Sequence, residues 1–275
     1  MVDVRVANVN DWDALTVFYE RAYRSGHPIR NQSFWKWRFG TDGQGVALIA
    51  VDSDSVVGHL GVNLCGDIAW TINLYLDEEW RGKGLLGRLH GLAGEFGPLA
   101  AVNPSLAALG MYRKMGWHGL ARLERFVLVD PALKPKNVVM EVKNQIPWSA
   151  ATGHHFWNQP GIRGHVAPDG SSFVDALEHG GMRAIEIMEP GTVLENMRSI
   201  GANWVDYVTS WNDPLCGVLL QNGWVHEEDA QVPWLLNPPV AGSRMNGKFF
   251  SRECLSPDRI IRRWDSDHGR VGTLP

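Results

Sequence analysis

The stretch Asn73-Leu74-Tyr75-Leu76-Asp77-Glu78-Glu79-Trp80-Arg81-Gly82-Lys83-Gly84-Leu85-Leu86-Gly87-Arg88-Leu89 decides the fold. A half-apolar strand runs into a glycine-rich turn that opens directly onto a helix. Gly82 and Gly84 let the backbone turn tightly and expose its N–H groups. The helix N-terminus adds unpaired donors and a partial positive charge, a setting suited to a pyrophosphate. Arg81 and Lys83 add two cationic side chains. No Gly-Lys-Ser/Thr stands at Walker spacing. Gly82, Gly84 and Gly87 match the dinucleotide pattern G-x-G-x-x-G in letters. However, the strand before them reads as part of an antiparallel meander, with no parallel βαβ unit around it.

Working outward, apolar runs at 46–51 and 56–64 flank Asp52-Ser53-Asp54-Ser55, a hairpin signal, and a further strand spans 68–76. Upstream, Asn10 is an N-cap for a helix carrying Trp12, Leu15, Phe18, Tyr19 and Ala22 at helical spacing. A short helix covers 33–39, stopped by the turn from Gly40 to Gly45. Downstream come a helix from Gly84 to about Phe96, a strand at 99–102, a helix at 105–115 and a strand at 123–129. These elements make an α/β domain of residues 1–130. Residues 131–150, rich in Pro and Lys, read as a linker. Residues 151–275 form a second unit, with strands at 173–177, 184–188 and 204–209 and helices at 190–200 and 213–221.

The two halves echo each other. Leu99 to Val102, a helix, then Gly116-Trp117 in the first matches Val205 to Thr209, a helix, then Gly223-Trp224 in the second. Coincidence between two strand-helix-strand units competes with duplication of one domain; the matched Gly-Trp end favours duplication. The second copy has no glycine-rich loop before its helix and is expected to be catalytically degenerate.

The 275 residues are 44% hydrophobic and 20% charged, enough to bury a sizeable core. A net charge of −4 marks no general binder of nucleic acid or anionic membrane. The N-terminus lacks the layout of a signal peptide, and no apolar run is long enough to span a bilayer. Cys65, Cys216 and Cys254 are sparse and odd in number, as free thiols in a reducing cytoplasm would be. No cluster has metal-ligand spacing, so no metal is expected.

Two motifs together carry a resemblance. Arg81-Gly82-Lys83-Gly84 resembles the Arg/Gln-x-x-Gly-x-Gly/Ala acyl-CoA loop of the GNAT superfamily, at the place the superfamily gives it, after its fourth strand and opening its third helix. Asn103-Pro104-Ser105-Leu106-Ala107-Ala108 through Tyr112, Gly116 and Trp117 resembles the family's Asn-x-x-Ala-x-x-x-Tyr-x-x-x-Gly-Phe segment. Leu86 stands where the family prefers Gly or Ala, which implies a shifted helix approach. Asn103 lies slightly further before Tyr112 than in the family pattern.

The resemblance implies two GNAT-like α/β domains in tandem, each a mixed, mostly antiparallel sheet flanked by helices, the second degenerate. It implies direct attack of an amine on the thioester of acetyl-CoA or a longer acyl-CoA. The cofactor residues it implies are Leu74, Tyr75, Leu76, Arg81, Gly82, Lys83, Gly84, Leu85, Leu86, Gly87, Asn103 and Tyr112. Backbone N–H groups around Leu74 to Leu76 would polarise the carbonyl, and Tyr112 holds the position of the acid for the departing thiolate. For the proton acceptor, Asn73 can at most position a water. His59 is a candidate base, with a structural role as its equal.

For the acceptor, the segments Phe34 to Phe39 and Arg262 to His268 look like those of tandem GNAT proteins that acylate nucleotide-linked amino sugars for surface polysaccharides. Trp35, Arg38, Trp211, Asp265 and Asp267 are the expected substrate-binding residues. The expected acceptor is a dTDP- or UDP-linked amino-deoxy sugar, without nucleic acid or membrane partners, and a homodimer is admitted. Alternatives are a protein, peptide or small-amine N-acetyltransferase, an aminoacyl transferase of the Fem type and a non-catalytic CoA-binding module.

Overall fold

A computed structural model describes residues 2–41, 43, 45–65, 67–102, 106–119, 123–132, 149–150, 164–176, 181–226, 249–253, 255–256 and 258–262. The chain begins with β1 (Asp3–Val6), α1 (Trp12–Ala22), α2 (Gln32–Phe39), β2 (Gly45–Asp52), β3 (Ser55–Cys65) and β4 (Ile68–Leu76). It continues with α3 (Leu85–Ala93), β5 (Leu99–Val102), α4 (Leu106–Lys114), β6 (His118–Gly119) and β7 (Leu123–Val129). The second half contributes β8 (Ser149–Ala150), β9 (Gly164–Val166), β10 (Ser172–Ala176), β11 (Gly181–Glu186) and α5 (Val193–Ser199). It ends with β12 (Trp204–Ser210), α6 (Leu215–Gln221), β13 (Val225–His226) and β14 (Phe249–Ser251).

The described residues form two seven-stranded sheets, in the orders β1-β2-β3-β4-β5-β14-β6 and β13-β7-β12-β11-β10-β9-β8. Read from β8 inward, the second repeats the plan of the first, with a parallel pair at β4/β5 and again at β11/β12. The two sheets trade one strand. β7 pairs with β12 and β13, while β14 enters the first sheet between β5 and β6. Sheet membership therefore crosses the chain position 130.

The reading of an antiparallel meander without a βαβ unit is corrected here. β4 is antiparallel to β3, but it pairs in parallel with β5 across α3. Only Ala69, Trp70 and Thr71 take part in that pairing, opposite Leu99, Ala100 and Ala101, so the two strands part after Thr71. The short stretch Leu99–Val102 carries no sign of direction in its composition, which is why the pairing was not legible. β1 was also missed, because Asp3-Val4-Arg5-Val6, although alternating, is only four residues long and none of them is buried.

Helices cover both faces of the first sheet. Leu15, Phe18 and Tyr19 of α1 and Trp35 and Phe39 of α2 pack with Ala47, Ile49 and Ile72. On the other face, Leu89 and Ala93 of α3 and Tyr112 of α4 pack with Ala69, Leu99, Ala101 and Trp117. In the second sheet, Val193 and Met197 of α5 and Cys216 and Leu219 of α6 cover Phe126, Phe173, Val205 and Tyr207. A smaller cluster joins the sheets, with Ile68, Trp70 and Ala100 of the first against Val208 and Ile261 of the second half.

The repeat seen in the sequence has a structural counterpart. Gly116 (φ 75°) and Gly223 (φ 82°) are both left-handed and end α4 and α6. The following tryptophan N–H returns to the helix in each, Trp117 to the Tyr112 carbonyl at 3.0 Å and Trp224 to the Leu219 carbonyl at 3.2 Å. Such a close needs a residue without Cβ strain, which explains the glycine. Leu219 thus holds in the second unit the place that Tyr112 holds in the first.

Candidate active site

The loop between β4 and α3 has the geometry expected of an anion cradle. Gly82 (φ 76°) and Gly84 (φ 79°) are left-handed, and nothing lies within 4 Å of where a Cβ would stand on either. Gly84 is the N-cap of α3, and no side chain caps that end. The first-turn N–H groups of α3 therefore remain available to a ligand. Arg81, Gly82, Lys83 and Gly84 are exposed, Leu85 is buried as the anchor of the helix, Leu86 is half-buried and Gly87 exposed. The loop cations are steered by neighbours. Arg81 Nε donates to the Leu76 carbonyl at 3.1 Å and its Nη1 to Glu78 Oε1 at 3.3 Å, and Lys83 Nζ lies 4.5 Å from the Trp80 ring centre.

β4 carries a bulge. Its register against β3 shifts between His59 and Gly61, and Asn73 adopts a left-handed backbone, φ 48°. The Asn73 carbonyl is pulled out of the ladder, accepting from the Tyr23 hydroxyl at 2.6 Å and from His59 Nδ1–H at 2.9 Å. Beyond the bulge, Asp77 N–H bonds the Val57 carbonyl on β3. By strand alternation Tyr75 then faces β3, and Leu74 and Leu76 turn their N–H groups the other way, where β5 has already parted. Leu74, Tyr75 and Leu76 are all half-buried.

Tyr112 lies at the point of parting. Its hydroxyl is 3.2 Å from Thr71 Oγ1, which itself donates to the Ala100 carbonyl at 3.1 Å. Thr71 is on the last paired rung of β4 and β5. Burial, only partly offset by the Thr71 bond, holds the phenol above its ordinary value, so it carries its proton at neutral pH. Thr71 was missed in the sequence, where it is one polar residue inside an apolar strand. His90 of α3 lies edge-on to Tyr112 and Trp117, with ring centres 5.9 and 5.5 Å away.

His59 is fully buried, edge-on to Tyr19 and Phe39. Burial, against the smaller effect of its bond to Asn73, lowers its basicity to about 4. It is neutral at physiological pH and braces the bulge. Trp35 is committed to the core: it is 1% exposed, stacks near Trp12 and Phe39, and donates its indole N–H to the Tyr19 hydroxyl at 3.1 Å. Its ring cannot stack on an acceptor, and that expectation is withdrawn. Arg38 is buried beside Phe34 and Trp37 and donates to Asn63 Oδ1 at 3.1 Å. Trp211 projects from the end of β12 with 65% exposure. Asn103, Asp265 and Asp267 lie outside the described residues. Among the described residues no group of His, Cys, Asp and Glu could hold a metal ion, and no helix is long and apolar enough to cross a membrane.

Residues 12–117 match the acetyltransferase (GNAT) family. The chain is similar in structure to a putative acetyltransferase from Pyrococcus horikoshii, with 14% identity, 94% of this chain and 91% of that chain covered, and a TM-score of 0.53. A tandem GNAT protein from the clavulanic acid biosynthesis pathway matches with 13% identity over 91% of this chain and 98% of that one, at a TM-score of 0.48. Arabidopsis thaliana NAA60 in complex with acetyl-CoA matches with 16% identity over 45% of this chain and 88% of that one, at a TM-score of 0.38. No curated protein matches the chain in sequence. Residues 12–117 are thus similar to the GNAT family, the chain has the fold of two GNAT-like units in tandem, and the protein is an acyl-CoA-dependent N-acyltransferase.

Proposed function

We propose that the first unit binds acyl-CoA along the open edge of β4 and transfers its acyl group to the amine of a nucleotide-linked amino sugar. The observation that carries the chemistry is the split between β4 and β5, with the Tyr112 hydroxyl at its apex and the uncapped α3 N-terminus at its mouth. In this reading the N–H groups of Leu74 and Leu76 pair with the cofactor's extended arm and polarise the thioester carbonyl. The loop from Arg81 to Gly87 receives the pyrophosphate. The amine nitrogen bonds to the carbonyl carbon, the carbon–sulfur bond breaks, and the Tyr112 hydroxyl protonates the leaving thiolate. The proton released by the amine passes to water; the buried, weakly basic His59 serves the bulge.

The acceptor lies on the side of β4 turned to the second unit, which supplies a wall and no chemistry. Leu219 in place of the tyrosine supports that division, with residues 1–130 as the acyl-CoA unit, 131–150 as linker and 151–275 as the acceptor unit, less the exchanged strands. Exposed Trp211 is a stacking surface for the nucleobase. A nucleotide-sugar substrate places the reaction in the cytoplasm.

Thiol release from acetyl-CoA is the test, with dTDP- and UDP-linked amino-deoxy sugars, polyamines and a lysine peptide as acceptors. Release with one nucleotide sugar, falling about a hundredfold in Tyr112→Phe, is expected. Release with the peptide or a polyamine alone overturns the sugar and keeps the acyl transfer. Silence with every acceptor and with longer acyl-CoAs, despite CoA binding, overturns the catalytic reading.

A further inference from the structure

On the second sheet, the face away from α5 and α6 holds charge where a core is expected. Arg183 on β11 stands opposite Asp206 on β12, and Arg125 on β7 stands opposite Val208, the next residue along β12 on that face. Arg125 Nε donates to Asp206 Oδ2 at 2.8 Å, while Arg183 comes only to 3.7 Å of the same oxygen. The side chains of all three are 2% exposed. Both guanidinium groups approach this one carboxylate, and its hydrogen bond goes to Arg125. None of the three guanidinium nitrogens of Arg183 has a hydrogen bond.

A buried cation in this state is costly, since it gives up its hydration without full replacement. Burial, opposed in part by Asp206 and reinforced by Arg125, accordingly lowers the basicity of Arg183. The position also has a direction. Val208 meets Trp70 and Ala100 of the first sheet, so this charged face is turned toward the acyl-transfer unit. Trp204 closes one end, its indole lying across Gly181 and 5.7 Å from the Arg125 guanidinium carbon.

We propose that Arg183, with Arg125 and Asp206 as its frame, is an oxyanion-binding site for the acceptor, receiving a phosphate or carboxylate group that the amine-bearing substrate carries. A planar guanidinium fork matches either group in bidentate fashion, and one oxyanion supplies the hydrogen bonds that the Arg183 nitrogens lack. This site rests on the amine-acylation reading of the first unit, and not on the sugar.

The test compares the full chain with Arg183→Met, which removes the unbonded cation, keeps the Arg125–Asp206 bond and is expected to fold as stably as the parent or more so. Inorganic phosphate and acetate are titrated calorimetrically in saturating CoA, so that the glycine-rich loop is already filled. Binding of one of them to the parent, weakened about thirtyfold or more in Arg183→Met, is the expected result, and the anion that binds identifies the group. Arg183→Lys, which keeps the charge and loses the fork, should fall between; it also serves if the Met variant does not fold. In thiol-release assays Arg183→Met should raise KM for an anionic amine and leave KM for acyl-CoA unchanged. Failure of both anions to bind, or equal binding by parent and variants, overturns the site. Anion binding lost in Arg183→Met without thiol release from any acceptor sinks the acylation reading and leaves the site standing.

Discussion

Asn73 holds a left-handed backbone in mid-strand, a conformation that costs most residues about 1–2 kcal/mol and costs glycine little. The Asn73 carbonyl accepts the bonds from Tyr23 and His59, and such a backbone role predicts a sharp contrast. Asn73→Gly should keep kcat, and Asn73→Val should lower both kcat and the melting temperature. Equal loss in the two variants would instead show a role for the amide side chain. Beneath it, His59 makes a pH prediction. Its basicity is lowered from 6.5 to about 4, so the unfolded chain binds the proton more tightly than the folded one. The stability it supports is fully present above about pH 6.5 and is lost as pH falls toward 4, by roughly 3 kcal/mol. Urea denaturation between pH 7 and 4 should show a shallower decline in His59→Gln than in the parent. Gly181 answers to packing alone: an added Cβ would stand 2.1 Å from Trp204 Cε2. Gly181→Ala should cost about 1–3 kcal/mol in denaturant unfolding, because the indole must leave its place.

At the scale of elements, the turn from β4 into α3 is a conformational device with no packing attached. Gly84 is left-handed in open space, so Gly84→Ala is strained without being crowded. Stability should drop by about 1 kcal/mol, while KM for acyl-CoA rises about tenfold as the N–H groups tilt away from the pyrophosphate. Unchanged acyl-CoA affinity in this variant would remove the loop from the cofactor site. Much of this element was readable from residues alone. Two glycines before an amphipathic helix state a tight turn and an exposed helix end, and periodicity placed α1, β4 and α4 within a few residues. The hairpin between β2 and β3 was equally legible, its Ser53 and Asp54 both at positive φ. The bulge was not, because Asn73 in an apolar strand carries no local sign of the shift in its pairing with β3.

At the scale of the whole molecule, the exchange of β7 and β14 makes each sheet depend on the other half of the chain. β14 stands between β5 and β6, with Phe250 opposite both Ala101 and Gly119. A proline there cannot donate to the ladder and breaks it in the middle of the sheet. Phe250→Pro should therefore weaken CoA binding, measured by thermal shift, although it is far along the chain from Arg81. Calorimetry on the parent should show both units unfolding in a single transition; two well-separated transitions would mean that the exchange does not couple them.

The sequence by itself determined what short-range chemistry determines: the turn and helix end at Arg81 to Gly84, the Gly-Trp closures of α4 and α6, and the repeat of one plan in the two halves. Each follows from local steric and periodic rules that act over a few residues. Tertiary structure alone decided which strand pairs with which, and hence the split after Thr71, the trade of β7 for β14, and the withdrawal of Trp35 into the core. It also brought Arg125, Asp206 and Arg183 onto one buried face. Those outcomes depend on contacts between residues far apart in the chain, where the energy of pairing and burial is shared among partners that no local pattern names.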